Sequence, residues 1–252
     1  MSEQHQNKLH SQHVPTDHHP EFSRRSLLGQ AVLASACGIA GFSKHFTAKA
    51  VFADEKPPVV SPATPEEALQ SLYSGNSRFA SGKSEANRDM NRVRAVAREQ
   101  KPFAAFLGCA DSRVPIEIVF DQGFGDLFVT RIAGNVASSE NIGSLEFGTQ
   151  VLGAKVLYVL GHTECGAVNA TMQGTDVPGQ ISGLFQHIRP AVKAAKGDLT
   201  KAIVGNVRNQ AILLAEASPV ISKMIQRKEL IVAGGIYDLA TGVVTSIDLS
   251  LA

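Results

Sequence analysis

Lys155-Val156-Leu157-Tyr158-Val159-Leu160-Gly161-His162 is the stretch that decides the fold. No polar face interrupts the run from Val156 to Leu160. A strand with one wet side alternates polar and apolar residues, whereas an unbroken apolar run suits a strand buried on both faces, as in a parallel sheet covered by helices. Outward from it the pattern repeats. Phe103 to Cys109 and Leu127 to Ala133 read as earlier strands. Ser139 to Leu152 reads as a helix stopped by Gly153, and Thr163 to Gln173 as one closed by Gly174. Further helices are expected over Ile181–Ala195, Leu199–Ala217 and Ser218-Pro219 to about Lys228. Leu230–Tyr237 and Val243–Leu249 are strands whose short Leu239-Ala240-Thr241-Gly242 link suggests a hairpin. Alternating strands and helices give an α/β class: a mostly parallel sheet flanked by helices, with a C-terminal antiparallel edge hairpin.

An N-terminal helical arm over 64–81 precedes the sheet. Thr64 can cap it, Pro65 suits its first position, and Glu67 completes a capping box. Leu69, Leu72, Tyr73, Asn76 and Phe79 follow at helical spacing and Gly82 stops the helix. This amphipathic arm must lie on its own domain or on a partner subunit.

The chemistry gathers at strand ends. Cys109 closes the first strand, His162 closes the third, and Cys165 follows in a His-x-x-Cys spacing. In an open parallel sheet the C-terminal strand ends face one crevice, where ligands bind. A strand-to-helix turn lets His162 and Cys165 face one point, with Gly161 and Gly166 bracketing them as expected close-approach positions. Two thiolates and one imidazole are the donors of a zinc site that keeps a fourth position for water or substrate. Isolated cysteines are more often inert small hydrophobes, but Asp111 and Arg113 directly after Cys109 are not core material.

Cys109-Ala110-Asp111-Ser112-Arg113 taken with Gly161-His162-Thr163-Glu164-Cys165-Gly166 resembles the paired signature of the β-class carbonic anhydrases, in their plant-like open-site branch. The similarity runs from about Pro65 to Leu249 and includes Gly75-Asn76-Ser77-Arg78-Phe79 and Arg131-Ile132-Ala133-Gly134-Asn135. The resemblance implies an enzyme holding one Zn2+ per chain that converts carbon dioxide reversibly to bicarbonate with metal-activated hydroxide. It implies Cys109, His162 and Cys165 as ligands and Asp111 and Arg113 as a catalytic dyad. Asp111 would accept the hydroxide proton, and Arg113 would keep Asp111 ionised and turned correctly. The substrate site it implies comprises Gln100, Phe128, Phe147, Ala133 and Gly166. Phe147 stands where Tyr is frequent, and Ala133 where Val is common. With no Trp in the chain, the auxiliary bicarbonate site of another branch is not expected, and Asp111 should stand off the metal. A homodimer or higher even homo-oligomer is implied as well. His187 is a proton-shuttle candidate by residue type alone.

Three competitors share part of this pattern. Zinc hydrolases of carbon disulfide or carbonyl sulfide keep the same ligands. A non-catalytic zinc module would need no Asp111, Arg113 or Gln100. A dithiol redox protein would want its cysteines close together and has no use for His162.

The 252 residues carry a net charge of +1 and 44% hydrophobic residues, which allows a sizeable core and gives no field for nucleic acid. Residues 1–53 read as a leader plus export signal, followed by a Pro-rich linker over 54–63. His5, His10, His13, His18 and His19 stud a polar tract. Ser23-Arg24-Arg25-Ser26-Leu27-Leu28, a short apolar run and Ala48-Lys49-Ala50 or Val51-Phe52-Ala53 resemble a twin-arginine signal cut after Ala50 or Ala53. That implies a periplasmic or otherwise exported protein, removal of Cys37, and no stable membrane insertion, since the run is too short to span a bilayer.

Overall fold

The computed structural model describes residues 61–174 and 176–249. The expected leader, export signal, cleavage sites, Cys37 and linker residues 54–60 lie outside the described residues. Five strands among them, β1 (Ala104–Gly108), β2 (Leu127–Arg131), β3 (Val156–His162), β4 (Ile231–Tyr237) and β5 (Val244–Ser246), form one sheet in the order β2-β1-β3-β4-β5. The first four are parallel, and β5 pairs antiparallel with β4 at the edge. All seven residues of β3 are buried, because β1 and β4 flank it and helices cover both its faces.

The helices are α1 (Pro65–Ala80), α2 (Met90–Ala95), α3 (Ile116–Val119), α4 (Ser139–Glu146), α5 (Gly166–Gln173), α6 (Ser182–Ala195), α7 (Leu199–Ala217) and α8 (Pro219–Gln226). Alternation along β1 and β3 divides the core in two. Phe106, Tyr158 and Leu160 pack with Leu72 of α1 and Ile116 and Phe120 around α3. Leu107, Leu157 and Val159 pack with Leu145 of α4, Val207 and Leu214 of α7 and Ile221 of α8. On the first face Phe106, Phe120 and Tyr158 meet with ring centroids 5.0–5.5 Å apart; burying each such ring is worth about 2–3 kcal/mol. Among the described residues no helix is long and apolar enough to cross a membrane.

The capping box forms as its residues dictate: Glu67 N–H donates to Thr64 Oγ1 at 3.2 Å, and Thr64 N–H to Glu67 Oε2 at 3.3 Å. The arm lies on its own domain. Gly75 presses against the Phe120 carbonyl so closely that any Cβ would collide with it. Asn76 Nδ2 donates to the Val119 and Gly242 carbonyls at 3.0 and 2.9 Å, and its Oδ1 accepts from Val244 N–H at 2.8 Å. One side chain thus ties α1 to α3 and to the terminal hairpin.

Two helices and three boundaries differ from the sequence pattern. α2 and α3 are too short to show a period. The 139–152 helix ends at Glu146 and passes into a π turn over Phe147–Val151, where Thr149 Oγ1 bonds back to the Leu145 carbonyl at 2.8 Å. α5 starts at Gly166 rather than Thr163, because Glu164 is left-handed at φ 55° and cannot continue a helix. β5 spans only Val244–Ser246.

Asp121 holds the arm's far end. Its side chain is fully buried and accepts from Arg78 Nε at 2.7 Å, Arg88 Nη2 at 3.3 Å, Glu85 N–H at 2.9 Å and Ala86 N–H at 3.1 Å. Burial works to raise its pKa, but these donors outweigh it and hold the carboxyl below the usual range. Removing the acceptor leaves four half-exposed donors that only water can partly satisfy, so Asp121→Ala is expected to cost about 1–3 kcal/mol in urea unfolding. The depressed pKa fixes the sign of the acid limb. Asp121's contribution is complete above about pH 4 and disappears as pH falls through the folded value, so the variant should show a shallower acid loss than the parent.

Candidate metal and catalytic site

The strand order places β1 between β2 and β3, so the chain leaves β1 to one side and returns on the other. Ligand crevices of open α/β sheets form at such a reversal. Cys109 follows β1 and His162 ends β3; Gly108 pairs with Leu160, so the two ligands leave neighbouring strands nearly level. Left-handed Glu164 then folds the chain back. Thr163 braces the turn, its N–H donating to the Tyr237 carbonyl at 3.0 Å and its Oγ1 accepting from Leu239 N–H at 3.1 Å. Cys165 arrives as the residue before α5.

The outcome is a triad of buried donors. One ligand atom each from Cys109, His162 and Cys165 lies within 4.8 Å of the others. His162 Nδ1 bonds the Thr163 carbonyl at 2.8 Å, an arrangement that places the proton on Nδ1 and a bare lone pair on Nε2. That Nε2 is buried and has no hydrogen-bond partner. An orphaned imidazole nitrogen between two thiols is costly unless a cation takes its lone pair, so these residues fit a metal of zinc's preference. The Cys165 thiol, His162 and the Gly134 amide hold the Cys109 thiol well below its usual range against its burial, while Cys109 and burial push Cys165 up. Burial pulls the His162 pKa down, but the adjoining Cys109 sulfur more than offsets it.

Beside the triad stands the dyad. Arg113 Nε and Nη2 donate to Asp111 Oδ1 and Oδ2 at 3.0 and 2.8 Å, and Arg113 N–H donates to Oδ1 at 2.9 Å. This fork holds Asp111 well below the usual carboxylate range. Asp111 Oδ2 lies 3.8 Å from His162 Nε2, so the carboxylate borders the donor triad while Arg113 occupies it. Val136, Val168, Ile188, Ala202 and Ile203 wall the cysteines with apolar surface.

The other expected residues separate. Ala133 sits in the turn after β2, next to Gly134, whose N–H donates to Cys109 Sγ at 3.3 Å. Gly166 opens α5 with free space where a Cβ would stand, so it is no close-approach position; Gly161 is one, with Val207 Cγ2 2.5 Å from a built Cβ. Phe128 pairs in register with Ala105, four residues before Cys109, which at about 3.3 Å per residue sets it roughly 13 Å back along the sheet. Phe147 packs on Phe128 with centroids 6.3 Å apart and is 46% exposed. Gln100 is exposed and precedes β1, so the whole strand separates it from Cys109. His187 Nε2 faces Gln186 at 3.4 Å rather than the dyad.

Arg131 carries a task its motif position did not reveal. Its Nε donates to the Cys109 carbonyl at 2.9 Å and its Nη2 to the Asp111 carbonyl at 2.5 Å. One guanidinium on β2 therefore fixes the segment that carries a ligand and the dyad.

The sequence family described as carbonic anhydrase matches residues 104–244. Carbonic anhydrase 2 of Mycobacterium tuberculosis is 36% identical over 187 residues, covering 71% of this chain and 90% of that protein. Among solved structures, the Coccomyxa beta-carbonic anhydrase in complex with acetazolamide is 27% identical at TM-score 0.56, covering 74% of this chain and 87% of that one. Tetrameric beta-carbonic anhydrases of Sordaria macrospora share the fold at 20% identity and TM-score 0.56, covering 71% of this chain and 96% of that one.

Replacing Arg131 by Ala removes a charged donor from two carbonyls. Unfolding free energy is expected to fall by about 1.5–3 kcal/mol. Arg131→Lys should recover only part of it, because an ammonium cannot fork between both acceptors; full recovery with Lys would refute the clamp.

Proposed function

This chain belongs to the β-class carbonic anhydrase family, enzymes of reversible carbon dioxide hydration, and from that premise we propose that Cys109, His162 and Cys165 hold one zinc ion while Asp111 and Arg113 carry the proton chemistry. The observation that carries the proposal is the orphaned Nε2 of His162 between two thiols, bordered by a carboxylate already turned by an arginine. Bound there, zinc supplies acidity to a coordinated water, lowering its pKa toward neutrality. Two thiolates offset the cation's charge, which makes a nearby acceptor for that water's proton more important.

Asp111 is that acceptor. Arg113 takes both lone pairs of Oδ1, through Nε and its backbone N–H, and one of Oδ2, so the lone pair left on Oδ2, the oxygen nearest His162, is the one that receives the attacking water's proton and aims that water at carbon dioxide. Arg113 also keeps the carboxylate ionised and off the donor triad. The apolar wall of Val136, Val168 and Ile188 favours an uncharged gas over water. Carbon disulfide and carbonyl sulfide would meet the same wall and the same proton acceptor, and carbon dioxide is favoured because the chain matches carbonic anhydrases over most of its length.

Gln100 precedes β1, and Phe128, with Phe147 packed on it, pairs with Ala105, so in their own chain they stand back from the Cys109 end of the sheet. We assign them instead to the pocket of a second copy, which requires a homodimer or higher even homo-oligomer. Exposure of Phe147 and Gln100 supports this assignment. Residues 1–53 add a destination: Arg24-Arg25 with the following apolar run supports export in folded form to the periplasm.

Metal analysis of the purified enzyme is expected to give about one zinc per chain. Asp111→Ala should retain that zinc yet lose turnover by a factor on the order of 10²–10⁴ in stopped-flow hydration; unchanged turnover would discard the role given to Asp111. For export, the mass of protein recovered from the periplasm should begin after Ala50 or Ala53, and a chain that still starts at Met1 there would rule the signal out.

A further inference from the structure

Behind the 132–137 turn stand two polar side chains of α7, Asn206 and Gln210, only 1% and 2% exposed. Asn206 Nδ2 donates to the Gly134 carbonyl at 2.8 Å, and its Oδ1 accepts from Gln210 Nε2 at 3.2 Å. Gln210 Oε1 accepts from Ala137 N–H at 2.8 Å, and Nε2 also donates to the His187 carbonyl at 3.3 Å. The pair therefore grips the turn at both ends. Between the grips, Gly134 and Asn135 are consecutive left-handed residues at φ 75° and 44°. Glycine takes this conformation freely and asparagine more readily than most residues, so contacts rather than dihedral preference must fix the turn. Glycine places no side-chain restriction on its own dihedrals. Here its two polar groups are pinned instead, the carbonyl by Asn206 and the N–H by the Cys109 sulfur at 3.3 Å. A Cβ there would stand 2.7 Å from Ile188 Cδ1 and 3.3 Å from Ala167 Cβ, so the Ile188 side chain would have to move aside.

We propose that Asn206, buttressed by Gln210, is a positioning residue for Cys109: it fixes the Gly134 amide as a permanent hydrogen-bond donor to the ligand sulfur. The inference rests on the metal reading of Cys109, His162 and Cys165. An N–H directed at a thiolate draws charge from the sulfur and lessens its donation to a bound cation. With two thiolates in the set, that withdrawal restores part of the acidity they remove. It also fixes the direction of one sulfur lone pair, leaving another for the metal. Asn206 does this without touching substrate or metal.

Cobalt(II) in place of zinc reports the thiolates directly. The wild-type chain is expected to develop a saturating near-ultraviolet thiolate-to-cobalt band at about one ion per chain. In Asn206→Ala that band should move to lower energy as sulfur donation rises. Because the sulfur and its turn are no longer held in direction, resistance to a competing chelator should nevertheless fall, roughly 10–100-fold, and kcat should drop with KM unchanged. Should Asn206→Ala fail to fold, cadmium-113 loading of the wild type decides. Scalar coupling from cadmium through Cys109 sulfur to the Gly134 amide proton is expected, and its absence overturns the inference. A wild type without any thiolate band overturns the metal reading, and this inference falls with it. A normal wild-type band that Asn206→Ala leaves in place, with chelator resistance unchanged, overturns the inference alone.

Discussion

Parallel pairing of β1 with β3 is the constraint on which the site depends. The register that sets Gly108 beside Leu160 carries Cys109 and His162 out of the sheet at one edge, although they are far apart in sequence. Both strands are fully buried, so a slip of a single residue would turn every side chain of β1 to the opposite face. Phe106 would leave the aromatic cluster and Leu107 would leave the α7 face. The same packing that stabilises the sheet therefore fixes the distance between the first two donors. No loop has to search for that geometry.

What the sheet cannot supply, the turns do. Cys165 reaches the triad because Glu164 is left-handed, and the Gly134 amide reaches Cys109 because two left-handed residues follow one another. Left-handed Glu164 is unfavourable alone, and both turns are tied from outside, by Thr163 to Tyr237 and Leu239 and by Asn206 and Gln210 to the α7 helix. Arg131 adds a third tie, holding the carbonyls that bracket the Cys109–Asp111 segment. The geometry near the donors is thus held by hydrogen bonds contributed from β2, β4, α7 and the β4–β5 turn.

Legibility in the sequence followed the physics of each element. β3 was legible because burial on both faces leaves an unbroken apolar run, and α1 because Thr64 and Glu67 can do little else but cap. The ligands were legible because strand ends share an edge. Helix α6 formed over its expected range despite Pro190, since Phe185, Ile188, Ala191 and Ala195 pack its inner face. The π turn at 147–151 was hidden, because a wider turn leaves the apolar period nearly intact. So were Asn206 and Gln210: a polar residue on an amphipathic helix reads as solvated until the structure shows a backbone behind it. Gln100, Phe128 and Phe147 show a deeper limit: a motif fixes their place in the sequence but not their distance from the donors, and the β1–β2 register sets Phe128 well back from Cys109.

Charge balance links these observations. The donor set brings two sulfurs that can each carry a negative charge, and Asp111 adds a third anionic group 3.8 Å from His162. Crowding three anions around one cation would leave that cation little acidity to confer on water. Each anion is instead partly neutralised by a donor of its own: Arg113 on Asp111, the Gly134 amide on Cys109, and for Cys165 the N–H groups of Ala167 and Val168 at the start of α5, which lower its pKa against burial. The arginine's fork takes up both oxygens of Asp111 and so keeps the carboxylate from joining the two sulfurs as a third anion of the donor set.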